Sequence, residues 1–401
     1  MTFADRWLLP DGVKEVLPPE AERIEAVRRQ LLDLYRSWGY DLVMTPLIEY
    51  LDSLLTGTGH DLDLLTFKVT DQLTGRMMGI RADITPQVAR IDAHCLHQQG
   101  AVRLCYSSHV LHTRPAFLQA FRNPLQVGAE LYGHDGAASD VEVIQLMIET
   151  LDAVGVKRSI TLDLNQAGIY RELVKAAGLD ENQEQQLTEI LQRKAEIELK
   201  AFVKREISDA RMAGWLQALV RLNGGLQVLD EARSVLSEAP ANVLAALENL
   251  AEIATTIRQR YTGIDIYIDL SELRGYNYHT GIIFTAYVPG YGQPVAKGGR
   301  YDDIGKVFGR ARPATGFSAD LMVLVSLSEQ LESELPRGIF APAQQDAALL
   351  AAVNQLRKQG ERVVAGMPGM DNNPQELRCD RQLQWDGQQW QVVDLATGDA
   401  N

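Results

Sequence analysis

Residues 274–305 read RGYNYHTGIIFTAYVPGYGQPVAKGGRYDDIG, and the reading of the whole chain turns on them. Arg274, Tyr276, Asn277, Tyr278 and His279 crowd one short turn. The run before it, Ile264-Asp265-Ile266-Tyr267-Ile268-Asp269-Leu270, alternates apolar and polar residues with period two, which predicts a half-buried strand. A solvated turn between two strands rarely needs two tyrosines and a histidine, so these side chains are expected to face a pocket. Taken alone, the stretch reads equally as a tight hairpin with a solvated tip.

Three upstream segments add to it. Before residues 34–50 (LYRSWGYDLVMTPLIEY), Ile24, Val27, Leu31, Leu34 and Trp38 fall at spacings of three and four, the stripe of an amphipathic helix. Pro18 and Pro19 are placed to open that helix and Gly39 to end it, and Leu42-Val43-Met44 then predicts a strand. Residues 66–90 (TFKVTDQLTGRMMGIRADITPQVAR) predict two strands about a Thr74-Gly75 turn. In residues 107–136, Gln126 and Glu130 lie four apart, so on a strand they share one face. Two such residues on a half-exposed strand are also common as plain solvent-facing groups.

Composition narrows the classes. The chain has 401 residues, 46% of them hydrophobic, enough for a full core in two or three domains. Its net charge is −14 and its pI near 5.0, which argues against binding a dense polyanion through Lys and Arg. Cys95, Cys105 and Cys379 are odd in number and scattered, fitting neither a zinc site nor a disulfide framework, so a reduced, cytoplasmic setting is expected. His94 and His97 could line one helical face, but no carboxylate-rich motif accompanies them, and no metal is expected. The N-terminus carries Asp5 and Arg6 without an apolar run, so no signal peptide is expected, and no membrane span. Phosphate-cradling and dinucleotide motifs are absent, and no cofactor is expected.

Taken in order, these segments resemble class II histidyl-tRNA synthetases over about residues 10–330. Residues 34–50 resemble motif 1, with Pro46 in the place of the family's proline. Arg81-Ala82-Asp83-Ile84-Thr85 resembles the segment whose acidic residue holds the amino group of histidine, and Asp83 keeps the charge with one methylene fewer. Residues 107–136 resemble motif 2 and its following strand, where Gln126 and Glu130 match the pair that grips imidazole and ammonium. RGYNYHTG and GGRYD resemble the histidine-binding hairpin and its following turn. A free amino acid needs an anion for its ammonium and a cation for its carboxylate, and Asp83 and Arg274 can form the two ends of such a clamp. The resemblance thus implies a histidine site of Asp83, Thr85, Gln126, Glu130, Arg274, Tyr278 and His279, the last standing where the synthetases have a second tyrosine.

The departures fall on ATP. Leu111 and Thr113 replace the arginine and glutamate of motif 2, and Asp320, Met322 and Val323 replace the glycine, glutamate and arginine of motif 3. Removing one charge-stabilising donor from such a site costs roughly 3 kcal/mol of barrier, and here two guanidinium groups are gone. Arg114 or Arg122 could stand in for one clamp, but not for both. After residue 330 the chain is too short for the synthetases' anticodon-binding domain, and predicts strand 338–341, helix 347–359, strand 362–365 and a terminal hairpin about Asp386-Gly387.

A histidyl-synthetase-like core without ATP clamps or anticodon domain is similar to one further family, the ATP phosphoribosyltransferase regulatory subunits. RADITPQVARIDAH and LHTRPAFLQAFRNPLQVGAELYG look close to it. That resemblance implies an α+β, class II synthetase-like fold, with an antiparallel sheet and flanking helices over residues 1–330. It implies a helical insertion at 168–258 and a small C-terminal α/β domain at 331–401. Charged residues of the insertion, among them Lys194, Glu196 and Lys204, are expected on solvated faces, and the insertion reads equally as a partner-contact surface. The implied protein has no chemistry of its own. It assembles, typically as a hetero-octamer, with the catalytic short-form phosphoribosyltransferase of the first step of histidine biosynthesis, dimerises through motif 1 and senses L-histidine for feedback inhibition, with no tRNA and no membrane. A working histidyl-tRNA synthetase, or another histidine-adenylating ligase, is the alternative, and a ligand-free scaffold for the catalytic subunit is a second.

Overall fold

A computed structural model describes residues 7–55, 60–115, 120–156, 160–273, 275–276, 278–328, 337–370 and 372–395. Contacts divide the chain into two units, Met1–Gln330 and Leu331–Asn401.

The first unit is built on a nine-stranded sheet. In spatial order its strands are Asp41–Leu42, Val102–His109, Leu125–Tyr132, Ala314–Asp320, Tyr291–Arg300, Ile282–Val288, Ile160–Gln166, Ile264–Asp269 and Asn223–Gly224. The expected antiparallel sheet is parallel at two pairings, Asp41–Leu42 with Val102–His109 and Ile160–Gln166 with Ile264–Asp269. In each parallel pair the chain between the strands runs through helices, as a parallel connection requires.

The strands alternate sides. Val127, Ala129, Leu131 and Phe317 point to a helical layer, where Tyr35 meets the Phe317 ring edge-on at 6.2 Å. Two helices of that layer are Glu20–Ser37 and Ala137–Ala153, the second burying Ile144, Leu146, Met147 and Leu151 completely. On the first helix the buried stripe is Ile24, Val27, Leu31 and Tyr35, so Tyr35 takes the place expected for Leu34, which is half-buried. The opposite face of the sheet carries Leu104, Tyr106 and Tyr132 into a core with Ile84, Val88, Tyr301, Ile304 and Phe308, against which Tyr278 packs.

A small three-stranded sheet pairs Ile48–Tyr50 with Met77–Ile80 and Met77–Ile80 with Phe67–Thr70. Its hairpin turns at Gly75, whose φ of 71° lies in the left-handed region that glycine adopts freely. The turn is held by Asp71, which accepts from Leu73 N at 3.0 Å and Thr74 Oγ1 at 2.6 Å. Arg81, buried after the third strand, joins the two sheets by donating to Thr45 O at 2.8 Å, Thr45 Oγ1 at 2.7 Å, His109 O at 2.8 Å and Ser108 Oγ at 2.5 Å.

Six helices (Ala167–Ala177, Glu181–Gln192, Glu196–Glu206, Ala210–Leu219, Val228–Val235 and Ala241–Arg260) fill the segment between Gln166 and Ile264. The helix Glu196–Glu206 buries Leu199, Phe202 and Val203. Lys194, Glu196 and Lys204 are exposed, and the Lys194 ammonium lies 2.7 Å from Asp269 Oδ2.

The second unit has a four-stranded sheet, in order Val363–Ala365, Gly338–Ala341, Cys379–Trp385 and Trp390–Asp394, with the helix Ala347–Lys358 packed on it through Leu349, Val353 and Leu356. Among the described residues no helix is long and apolar enough to cross a membrane, and no His, Cys, Asp and Glu group is arranged to hold a metal ion.

Candidate functional site

The face of the sheet opposite the helices carries a cluster of carboxyl and phenol groups. Gln126 and Glu130 both stand there because they share a face of the Leu125–Tyr132 strand. Room for Glu130 comes from Gly316 on the neighbouring strand, where a methyl group would overlap Glu130 Oε2. Gly128, between the two site residues, likewise leaves space for the Tyr106 hydroxyl.

Glu130 is almost fully enclosed. Tyr106 donates to its Oε1 at 3.0 Å and Tyr301 to its Oε2. Burial pushes its carboxyl up to about 8, offset in part by hydrogen bonds from Tyr301 and Tyr106 and reinforced by the nearby Asp83. The group is therefore largely protonated at neutral pH in the ligand-free protein. Tyr106 and Tyr301 themselves are held well above the ordinary phenol range, by burial first and by Glu130 next.

Asp83 is half-buried, and its hydrogen bonds fall on one oxygen. Oδ1 accepts from Gln126 Nε2 at 2.8 Å and from Thr85 N and Oγ1 at 3.2 Å each. Gln126 is fixed from its other end by Ile84 N, which donates to Oε1 at 3.0 Å. Thr85 Oγ1 lies 3.3 Å from the Tyr106 hydroxyl and so links the Asp83 group to the Glu130 group. Among the described residues, no hydrogen bond falls on Oδ2 of Asp83.

The hairpin after Asp269 closes the cluster. Tyr278 stacks on Tyr301 with ring centroids 5.2 Å apart and 28° between planes, and meets His279 edge-on at 5.4 Å. The Tyr278 hydroxyl is buried and has no hydrogen-bond partner among the described residues. His279 Nδ1 lies 3.0 Å from Gly275 O, an acceptor only, so that nitrogen carries the proton and Nε2 is the acceptor. Burial pushes the imidazole down to about 4, and it is neutral. Arg274 and Asn277 lie outside the described residues. The structure thus brings Asp83, Thr85, Gln126, Glu130, Tyr278 and His279 to one place. Sequence reasoning missed Tyr106 and Tyr301, although Tyr301 lies within the quoted GGRYD and Tyr106 alternates in phase with Leu104.

The phosphate side looks different. Met322 is buried, and Leu111 and Val323 are half-buried apolar groups. Asp320 caps the helix Leu321–Leu327 by accepting from Met322 N at 3.0 Å, and burial pushes its carboxyl up to about 6. Arg122 is engaged elsewhere: its Nε donates to His112 O at 3.0 Å and its Nη1 to Asp11 O at 3.1 Å. Arg114 is exposed. Two hollows, of about 540 Å³ beside Trp38, Arg103 and Glu142 and about 420 Å³ beside Asp140, Arg300 and Asp302, are not lined by Asp83, Gln126 or Glu130.

This sheet, its carboxyl–phenol cluster and the apolar Leu111, Met322 and Val323 define a protein of the histidyl-tRNA synthetase fold with apolar groups at its phosphate-clamp positions. The histidyl-tRNA synthetase family matches residues 12–324, and the C-terminal domain of the ATP phosphoribosyltransferase subunit HisZ matches residues 336–393. A relative from Thioalkalivibrio sulfidiphilus, an ATP phosphoribosyltransferase regulatory subunit, is 57% identical over 396 residues, covering 98% of this chain and 100% of its own. The chain belongs to the family of ATP phosphoribosyltransferase regulatory subunits.

Solved structures agree on the fold. A Bacillus halodurans protein described as an ATP phosphoribosyltransferase regulatory subunit/histidyl-tRNA synthetase superposes with a TM-score of 0.80 at 25% identity, over 92% of this chain and 95% of its own. A chain of the Thermotoga maritima ATP phosphoribosyltransferase HisG:HisZ complex gives 0.57 at 16% identity, over 76% of this chain and 98% of its own.

Proposed function

We propose that this regulatory subunit binds free L-histidine at the Asp83–Glu130 cluster and reports its presence to the catalytic short-form ATP phosphoribosyltransferase. The observation that carries the reading is the pairing of a half-buried Asp83 carboxylate, whose Oδ2 takes no hydrogen bond from the described residues, with a buried Tyr278 hydroxyl that has no partner among them. Asp83 takes the ammonium. Glu130 and Tyr278 take the imidazole, with Gln126 and Thr85 fixing Asp83 in place and His279 bordering the ring. Arg274 takes the carboxylate.

The Thermotoga protein is a complex of HisG with HisZ, and the same assembly, as a hetero-octamer, is the reading for this chain. Self-association through the motif 1 region is supported by Leu42, Met44, Leu47 and Ile48, apolar residues that stand exposed within seven residues of chain. Histidine favours one quaternary state by binding it more tightly, so the catalytic subunit must in turn change histidine affinity by the same factor.

The test is calorimetric titration of the chain with L-histidine, with and without ATP, and again with the catalytic subunit present. Binding that ATP leaves unchanged, together with no histidine-dependent exchange of pyrophosphate into ATP, supports the reading. Absence of histidine binding in both the chain and the complex leaves a scaffold, and measurable exchange restores the synthetase alternative.

A further inference from the structure

The hairpin that carries Tyr278 and His279 is held by the helical segment as well as by the sheet. Arg171, on the helix Ala167–Ala177, sends Nη2 to His279 O at 2.7 Å and to Tyr276 O at 3.4 Å, with its guanidinium 5.3 Å from the Tyr276 ring centroid. Tyr170 of the same helix meets that ring edge-on at 4.9 Å. From the helix Glu181–Gln192, Glu184 Oε1 accepts from the Tyr276 hydroxyl at 2.7 Å, and Gln192 Nε2 donates to Leu273 O at 3.3 Å. Lys194, in the turn that follows, reaches Asp269 Oδ2 at 2.7 Å, where the strand ends and the hairpin begins.

Lys194 carries a second signature. Its φ is 51°, the left-handed region where glycine or asparagine sits with less strain. The side chain held in that position reaches a buried carboxylate, Asp269, whose other oxygen is taken by Ser271 N at 2.9 Å and Ser271 Oγ at 2.7 Å. Farther along the helical segment, Arg233 pairs with Glu248 of the same segment at 2.8 Å.

We infer that Arg171, Glu184 and Lys194 are positioning residues for the ligand: the helical segment holds the hairpin so that Tyr278 faces the Glu130 cluster, and its own state therefore sets effector affinity. This rests on the histidine reading of the cluster. A hairpin that spends only part of its time in the competent position lowers apparent affinity by that fraction. The helical segment is thereby a second place, away from the ligand, at which a bound partner can tune the response.

Lys194→Met, Arg171→Met and the rescue variant Lys194→Arg are compared in the full chain, with Arg233→Met as the control for losing an ion pair in the same segment. Calorimetry with L-histidine and hydrogen exchange of residues 270–281 are the readouts. The two methionine variants are expected to bind histidine about tenfold more weakly, with faster exchange in the hairpin, while Lys194→Arg and Arg233→Met stay within about twofold of the parent. Unchanged or tighter binding in Lys194→Met and Arg171→Met, with the parent binding normally, overturns the inference and leaves the histidine site standing. A parent chain that binds no histidine, alone or in the complex, overturns both.

Discussion

Replacing Glu130 by glutamine changes one atom in the most enclosed carboxyl of the site, and its effect on stability must depend on pH. In the unfolded chain Glu130 titrates near its ordinary 4.5, and in the fold it is pushed up to about 8 by burial. Between those values the folded chain holds a proton that the unfolded chain has lost. The stabilising contribution of that proton is complete below pH 4.5 and disappears as pH rises through 8. One pH unit in this window corresponds to about 1.4 kcal/mol, so ionisation in the unfolded state costs the fold on the order of 3 kcal/mol by pH 7. Glutamine cannot ionise, and Tyr106 and Tyr301 can turn their hydroxyls to meet its amide. Glu130→Gln should therefore gain on the parent steadily from pH 5 to pH 8. Because the chain has two units, a single melting temperature would mix them. Hydrogen exchange of amides in Leu125–Tyr132, corrected for intrinsic rates and converted to an opening free energy, reports the unit concerned. A parent–variant difference that stays flat from pH 5 to pH 8, or one that favours the parent as pH rises, refutes the account of Glu130.

Tyr278→Phe removes a buried hydroxyl that has no partner among the described residues, so the ligand-free protein should keep its stability or gain up to about 1 kcal/mol, while calorimetry shows histidine affinity falling about tenfold; a loss of stability with affinity intact would reverse the assignment. Arg81→Met leaves Thr45 O, His109 O and Ser108 Oγ without their donor and should lower stability by about 3 kcal/mol in denaturant unfolding, with a loss under about 1 kcal/mol counting against its role as the joint between the sheets. Leu42→Asp combined with Met44→Asp places charge on the exposed motif 1 stripe, and sedimentation should then show a species of lower mass than the parent; an unchanged mass would move self-association elsewhere.

Much of this site was legible because strand geometry is strict. Gln126 and Glu130 could be placed on one face from their spacing alone, and the Asp71–Gly75 turn follows from local chemistry. Tyr301 was not legible, since its contact with Glu130 depends on how the Tyr291–Arg300 and Ala314–Asp320 strands pair, and no periodicity within GGRYD encodes that. The Lys194 ion pair was not legible for a similar reason: the residue is exposed as expected, but its partner is Asp269, distant in sequence. Leu34 and Tyr35 differ by one position on a helix, and a stripe with spacings of three and four admits either until the neighbouring Phe317 ring chooses Tyr35. Arg122 offered itself as a replacement phosphate clamp, but a guanidinium with two carbonyl partners in hand is already committed.

The apolar residues at Leu111, Met322 and Val323 bear on affinity as well as on lost chemistry. An enzyme gains nothing in turnover from holding its substrate more tightly than the transition state requires, so its ground-state affinity is kept in check. A pocket released from turnover has no such ceiling. If the cluster binds histidine as proposed, its dissociation constant is free to settle at whatever concentration of the amino acid the cell needs to measure, and small changes around Glu130 and Tyr278 become a dial for that threshold rather than defects in a catalyst.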